Sequence, residues 1–309
     1  MDNRTARQGS RERRNIYAEI TEGILSELEA GRVPWVRPWA NSSAPVGMPF
    51  NAVSGRRYSG INVLSLWSAI AERGFAGHGF VTFRQARELG GSVRRGECGT
   101  DIVYTRKIAT RDERLSAVHE GREARPAIPF LRHFTVFSTE QCEGLPPHVA
   151  VPPRPVDPEL ILPAADALIR ATKADFRIGG TSAFYSPLHD YVQVPRPEAF
   201  FEPVNWHRTA FHELAHWSGH SSRLARDQSG SFGSPEYGRE ELVAEMAGAF
   251  VCAALGIRPT VRHSDYIGSW LAILRQDNRA ILRTASAASR AADHMLAFQS
   301  GDAATGEIS

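Results

Sequence analysis

Apolar residues fall at helical spacing from the first patterned stretch of the chain onward. Ile16, Ile20, Ile24 and Leu28 stand four apart between Arg13 and Ala30, with Tyr17, Thr21 and Leu25 beside them, and Gly31 ends the run. Residues four apart share one helix face, so the pattern predicts an amphipathic helix. Val63, Leu66, Trp67 and Ile70 keep helical spacing as far as Gly74 and predict a second. Thr82 reads as the N-cap of a short helix over Phe83 to Leu89, closed by Gly90 and Gly91. Extended segments lie between. Asn51 to Gly60 has turn chemistry at Gly55 and predicts a hairpin, Ser92 to Lys107 reads as another with basic residues on both arms, and Phe130 to Phe137 reads as a strand. Residues 109–126 are dense in charge with few apolar positions, which predicts an exposed loop.

A second region begins after residues 145–158, whose six prolines can continue neither a helix nor a central strand. Beyond it the pattern predicts a helix over 158–173 despite Pro163, a strand at Phe176 to Ile178, and a hairpin from Ala183–Tyr185 to Tyr191–Val194 around Ser186 and Pro187. Helices follow around His212, over Pro235 to Leu255, over Asp265 to Arg275 and over Asp277 to Gln299. The organisation expected is a basic disordered tail (1–12), a small α+β domain (13–144), a Pro-rich linker (145–158), a second α+β domain (159–299) and a frayed tail (300–309).

Composition narrows the class. A chain of 309 residues, 42% hydrophobic and 23% charged, has room for two domains that each bury a core. No stretch is apolar enough for a membrane span or a signal peptide, so no membrane is expected and the cytoplasm is the expected location. Cys98, Cys142 and Cys252 are too scattered for a disulfide framework, so free thiols are expected. The net charge of +2 hides an asymmetry: residues 1–111 carry 17 Lys+Arg against 10 Asp+Glu, or +7, which leaves −5 for the remainder. A polyanion would bind at the front.

The rear carries the clearest chemistry. His212 and His216 in His212-Glu-Leu-Ala-His216 share a helix face and can reach one cation, while Glu213, one step round, meets the water that a cation activates. A catalytic zinc takes three protein ligands and leaves a fourth position for water, so one more donor is needed. A His ten residues after the first is excluded, because position 222 is Ser. On the following helix Glu241 and Glu245 share a face. Glu241 is the expected ligand and Glu245 the expected partner orienting a histidine, with Glu240, or a reversal of the two roles, left open. Zn2+ is the expected ion, with Mn2+ or Co2+ as possible substitutes. Tyr237 could stabilise an oxyanion or simply pack at a helix start.

In the front half, Trp35 and Trp39 alternate with Arg32 and Arg37 along backbone that Pro34 and Pro38 hold extended. Aromatic faces beside guanidinium groups suit an unpaired strand, though this segment alone reads more simply as two tryptophans closing a small core. Arg56 and Arg57, and Arg94 and Arg95, are further candidates for contact with nucleic acid.

The segments LEAGRVPWVRPW (28–39), YSGIN (58–62), VTFRQA (81–86), GSVRRG (91–96), FHELAHWSG (211–219) and EELVAE (240–245) stand in this order. Together they make the chain resemble the ArdC-type antirestriction proteins of conjugative plasmids, nearly end to end. The resemblance implies an N-terminal single-stranded DNA-binding domain, also attached to some conjugative primases, fused to a zincin-like metallopeptidase domain with a possible protein substrate. It moves Trp35 and Trp39 toward DNA and implies protection of incoming plasmid DNA from host restriction. The alternatives are a DNA-binding protein whose metal is structural, and a primase accessory.

Overall fold

The computed structural model describes residues 16–36, 45–108, 128–150, 157–260, 267–277 and 279–299. The two terminal tails, the loop expected over 109–126 and the middle of the Pro-rich linker therefore lie outside the described residues, as do Arg37 and Trp39.

In the front half, helix α1 (Ile16–Glu29) turns Ile24 and Leu28 inward. Strand β1 (Phe50–Asn51) precedes α2 (Ile61–Arg73), which starts at Gly60, whose φ of 61° suits a residue without Cβ. Strand β2 (Gly79–Thr82) runs into α3 (Phe83–Glu88), where Thr82 is the expected N-cap and makes a capping box with Gln85. Strands β3 (Ser92–Val93), β4 (Thr100–Ile108), β5 (Ile128–Ser138) and β6 (Cys142–Glu143) follow, then one helical turn, α4 (Pro147–Ala150). The main sheet has the order β1-β2-β5-β4, parallel between β1 and β2 and antiparallel elsewhere.

This topology corrects two expectations. Residues 92–107 are not one hairpin: β3 pairs with β6, while β4 pairs with β5 from Thr100↔Val136 to Ile108↔Ile128. The long register with β5 offers far more main-chain bonds than a return to the two-residue β3. Residues 51–60 form a tight loop closed by a single Phe50–Arg57 bridge rather than a hairpin, because β1 pairs with β2. The Asn51 side chain caps that loop, accepting from the Val53 and Ser54 amides at 3.2 and 3.0 Å.

In the rear half, Asp157 caps α5 (Pro158–Ala171), which continues through Pro163. Strands β7 (Asp175–Ile178), β8 (Phe184–Ser186) and β9 (Tyr191–Val194) make a sheet of order β7-β9-β8, including the expected hairpin. Four helices follow among the described residues: α6 (Pro203–Ser218), α7 (Pro235–Ala254), α8 (Ile267–Gln276) and α9 (Ala280–Ala297). Helix α7 is buried from Gly238 to Ala253 apart from Arg239, and α6 and α9 pack against it.

The packing does not divide where the sequence does. One apolar cluster runs through both halves. Trp35 packs edge-on against Trp270 at 5.5 Å, Trp67 against Phe250 at 5.6 Å, and the Gly60 amide donates to Ser289 Oγ at 2.7 Å. The expectation that each domain buries its own separate core is replaced by a shared one. None of the three cysteines is bonded to another, and among the described residues no helix is long and apolar enough to cross a membrane.

Candidate metal centre and nucleic-acid surface

Helix α6 presents His212 and His216 one turn apart, and α7 meets it with three acidic residues, Glu240, Glu241 and Glu245, turned into the contact. The two imidazole Nε2 atoms lie 3.2 Å apart. Each is 3.5 Å from a different oxygen of Glu241, and the three donors lie within 4.8 Å of one another. Donors around a tetrahedral ion with bonds of about 2.0–2.1 Å stand about 3.3–3.4 Å apart, so this set fits one divalent cation. The opposite ring nitrogens point outward: His212 Nδ1 lies 3.2 Å from Glu245, and His216 Nδ1 lies 3.2 Å from Glu240. Glu245 thus faces the far nitrogen of His212. Glu241, not Glu240, lies where the two Nε2 atoms converge, and Glu240 faces the far nitrogen of His216.

Glu240 is itself clamped. Arg226 forks onto its carboxylate at 3.0 and 2.6 Å and reaches back to Ala215 O at 2.6 Å and Ser218 Oγ at 2.9 Å. Gln228 donates to His216 O at 2.7 Å and to Glu240 at 3.1 Å. The turn after α6 must leave room for this clamp. A Cβ on Gly219 would stand 2.6 Å from Gln228 and 2.7 Å from Arg226, which accounts for the glycine in the FHELAHWSG segment. Sequence reading missed Arg226 and Gln228, since no spacing rule ties a connecting loop to the helix it folds back on.

The electrostatics follow from burial and charge. Burial alone would lower both imidazole pKa values, but the carboxylates outweigh it: Glu241 and Glu245 hold His212 up at about 9, and Glu240 and Glu241 hold His216 up at about 10. Burial pushes Glu241 up, and the two imidazoles pull it back well below the ordinary carboxylate range.

The convergent side opens on a cleft of about 300 Å³, also lined by Glu213, Tyr237 and the edge strand β8. Tyr237 sits at the start of α7 with its ring 5.3 Å from Phe232. Tyr185, which sequence reading did not single out, lines the same cleft and bonds Asp190 at 2.9 Å. Asp190 is gripped by Arg223, whose guanidinium also stacks 4.0 Å from the Trp217 ring.

The front-half candidates are scattered differently. Trp35 is wholly buried against Trp270, so it offers no face to a base; this corrects its assignment to DNA and returns it to the core. Arg32 is exposed, with both bonds of its fork, 2.9 Å each, going to Glu27. Arg56 and Arg57 stand exposed on the Asn51 loop, and Arg95 is exposed beside Arg94, which pairs with Glu97 at 3.0 Å. Two exposed aromatics went unremarked in the sequence, Tyr104 on β4 and Phe134 on β5. Their signal was the alternation Ile102, Tyr104 and Arg132, Phe134, Val136, which marks one face of a strand pair.

Fold and site together define a two-part α+β protein whose rear half carries a zincin-type donor set. Residues 14–137 match the N-terminal domain of the anti-restriction factor ArdC, and residues 163–287 match the zincin-like metallopeptidase family. The crystal structure of the antirestriction ArdC protein of plasmid R388 in its metal-free form superposes with a TM-score of 0.76 at 35% identity, covering 93% of this chain and 98% of that one. Its Mn(II)-bound form gives 0.74 at 35% identity over 95% and 100%. The chain is 38% identical to the uncharacterized protein y4eC of Sinorhizobium fredii over 306 residues, 95% of each. It is also 32% identical to the Escherichia coli DNA primase TraC, covering 92% of this chain but 20% of the primase. The chain belongs to the ArdC antirestriction family.

Proposed function

We propose that the protein binds single-stranded DNA through its front half and hydrolyses a peptide bond in its rear half, acting in the cytoplasm to protect incoming plasmid DNA from restriction. One observation carries the enzymatic part: two imidazoles and a carboxylate converge at metal-ligand spacing on a cleft that also holds Glu213 and an unpaired strand edge. His212, His216 and Glu241 would hold the ion, Zn2+ in the first instance, with Mn2+ or Co2+ able to occupy the same donors. Such an ion supplies Lewis acidity, polarising the carbonyl and making water a better acid.

The rest falls to the chain. Glu213 accepts the proton of the attacking water and returns it to the leaving amine. Strand β8, paired among the described residues with β9 alone, offers its other edge to an extended peptide along the cleft. Tyr237, which lines the cleft, donates toward the developing oxyanion. The front half attracts the phosphate backbone with exposed arginines, including Arg32, Arg56, Arg57, Arg94 and Arg95.

Hydrolysis of a peptide library by the metal-loaded protein, and by Glu213→Gln, tests this reading. The expected result is cleavage that the variant loses while it keeps metal and DNA binding. Stoichiometric metal with no turnover on any peptide would instead make the metal a structural element of a DNA-binding protein.

A further inference from the structure

The front half holds a cavity of about 650 Å³, larger than the metal cleft, on the face of the main sheet beside α3. Its lining follows from the strand register. Tyr104 pairs with Arg132 and Ile102 with Phe134, so these four side chains share one face of the β4–β5 ribbon. The Tyr104 and Phe134 rings meet edge to face, 5.6 Å apart at 82°, and remain 48% and 38% exposed. Aromatic rings of this size are normally covered, so a pair left half open inside a concavity is a surface without its occupant.

The floor is closed by buried Tyr58, Ile102 and Val136. The opposite wall is polar and rigid. Asn51 Nδ2 donates to Gln85 Oε1 at 3.0 Å, and the same oxygen accepts the Thr82 amide at 2.9 Å, which locks both amides at the mouth of α3. Asn62 fastens the strand that carries Tyr104, donating to Val103 O at 2.9 Å and accepting its amide at 2.8 Å. Two segments that carry the family resemblance, YSGIN and VTFRQA, thus meet here with no part in the metal site. Arg132 lies exposed on the rim.

We infer that this cavity is a nucleobase pocket, which takes an unpaired base of single-stranded DNA between the Tyr104–Phe134 pair and the Asn51–Gln85 wall, with Arg132 on the adjoining phosphate. A peptide is a poorer fit, because the outer edge of β4, the edge strand here, already gives the amide and carbonyl of Val103 to Asn62 and has no main-chain pairing left to offer at that point. A duplex cannot enter, since its bases are stacked and paired. Stacking on aromatic faces, amides for base edges and a rim of arginine are what a single strand needs. The inference rests on the proposed binding of single-stranded DNA and adds to it the place and the chemistry.

The test measures affinity of the full-length protein for a labelled single-stranded oligonucleotide across a salt series. The expected result for Tyr104→Leu combined with Phe134→Leu is roughly tenfold weaker binding or more, with the salt slope unchanged. Arg132→Gln should weaken binding and reduce the slope by roughly one. An oligonucleotide bearing 5-iodouracil, photocross-linked to the unaltered protein, should label peptides containing Tyr104 or Phe134. Adducts confined to other peptides, or a double variant that binds like the parent, would overturn the pocket while leaving DNA binding intact. No binding by the parent even at low salt would remove the reading beneath it as well.

Discussion

At the scale of single residues, the metal centre is a set of acids and bases that hold each other in place. His216 points its Nε2 inward only because Glu240 takes its Nδ1, and Glu240 holds still only because Arg226 and Gln228 grip it. Glu240→Gln should therefore lower metal affinity about 10- to 100-fold without removing a ligand, as measured by competition with a chelating dye. Proton release gives an independent check. With His212 held at about 9 and His216 at about 10, both imidazoles of the metal-free protein are charged at neutral pH. Ligands must be neutral, so metal binding near pH 7.5 should release close to two protons, read by titration calorimetry in buffers of different ionisation enthalpy. The sign for stability follows. Both folded pKa values lie above the unfolded histidine value near 6.5, so the stabilisation is complete below about pH 6.5 and lost as pH rises through about 9 to 10. The melting point of chelator-treated protein should fall across that window. His212, His216, Glu241 and Glu245 were legible from spacing, because a helix fixes which residues share a face. Arg226 and Gln228 were not, since a loop reaches its contacts through space.

At the scale of elements, helices were read well and strand pairing poorly, for a physical reason. The boundaries expected for α1, α3 and α7 lie within a few residues of those observed, because a helix and its caps are local. The partner of β4 lies beyond residues 109–127, and alternation shows that a segment is a strand without showing what it pairs with. Trp35 illustrates the companion error. The segment by itself reads as tryptophans closing a core, the family resemblance moves it toward DNA, and the fold turns the ring onto α8. The consequence can be measured. Trp35→Ala should destabilise by about 3–5 kcal/mol in denaturant unfolding, the usual cost of emptying a buried aromatic site. DNA affinity per folded molecule should stay unchanged, where a role in base stacking would produce the opposite pair of results.

At the scale of the whole molecule, the shared core decides how the two functions can be separated. Two domains joined by a linker would unfold independently, but here Trp67 of α2 packs against Phe250 of α7, Gly60 bonds to Ser289 of α9, and Arg275 of α8 reaches Glu29 of α1 at 2.7 Å. Halves that share buried aromatic contacts exchange stability through them, since breaking one side leaves the other with an exposed apolar face. The protein should therefore melt in one transition, with calorimetric and van't Hoff enthalpies in agreement. Trp67→Ala should lower the midpoint seen by a probe of the metal site as much as that seen by a probe of DNA binding. A fragment ending near residue 147 should show no cooperative unfolding, because it would expose both Trp35 and Trp67 to water. Two well-separated transitions, or a front fragment that folds alone and binds DNA as tightly as the full chain, would show that the contact is an interface between autonomous domains. In the single-transition case, DNA held on the front sheet also stabilises the rear helices, and metal loading should raise the temperature at which DNA binding is lost.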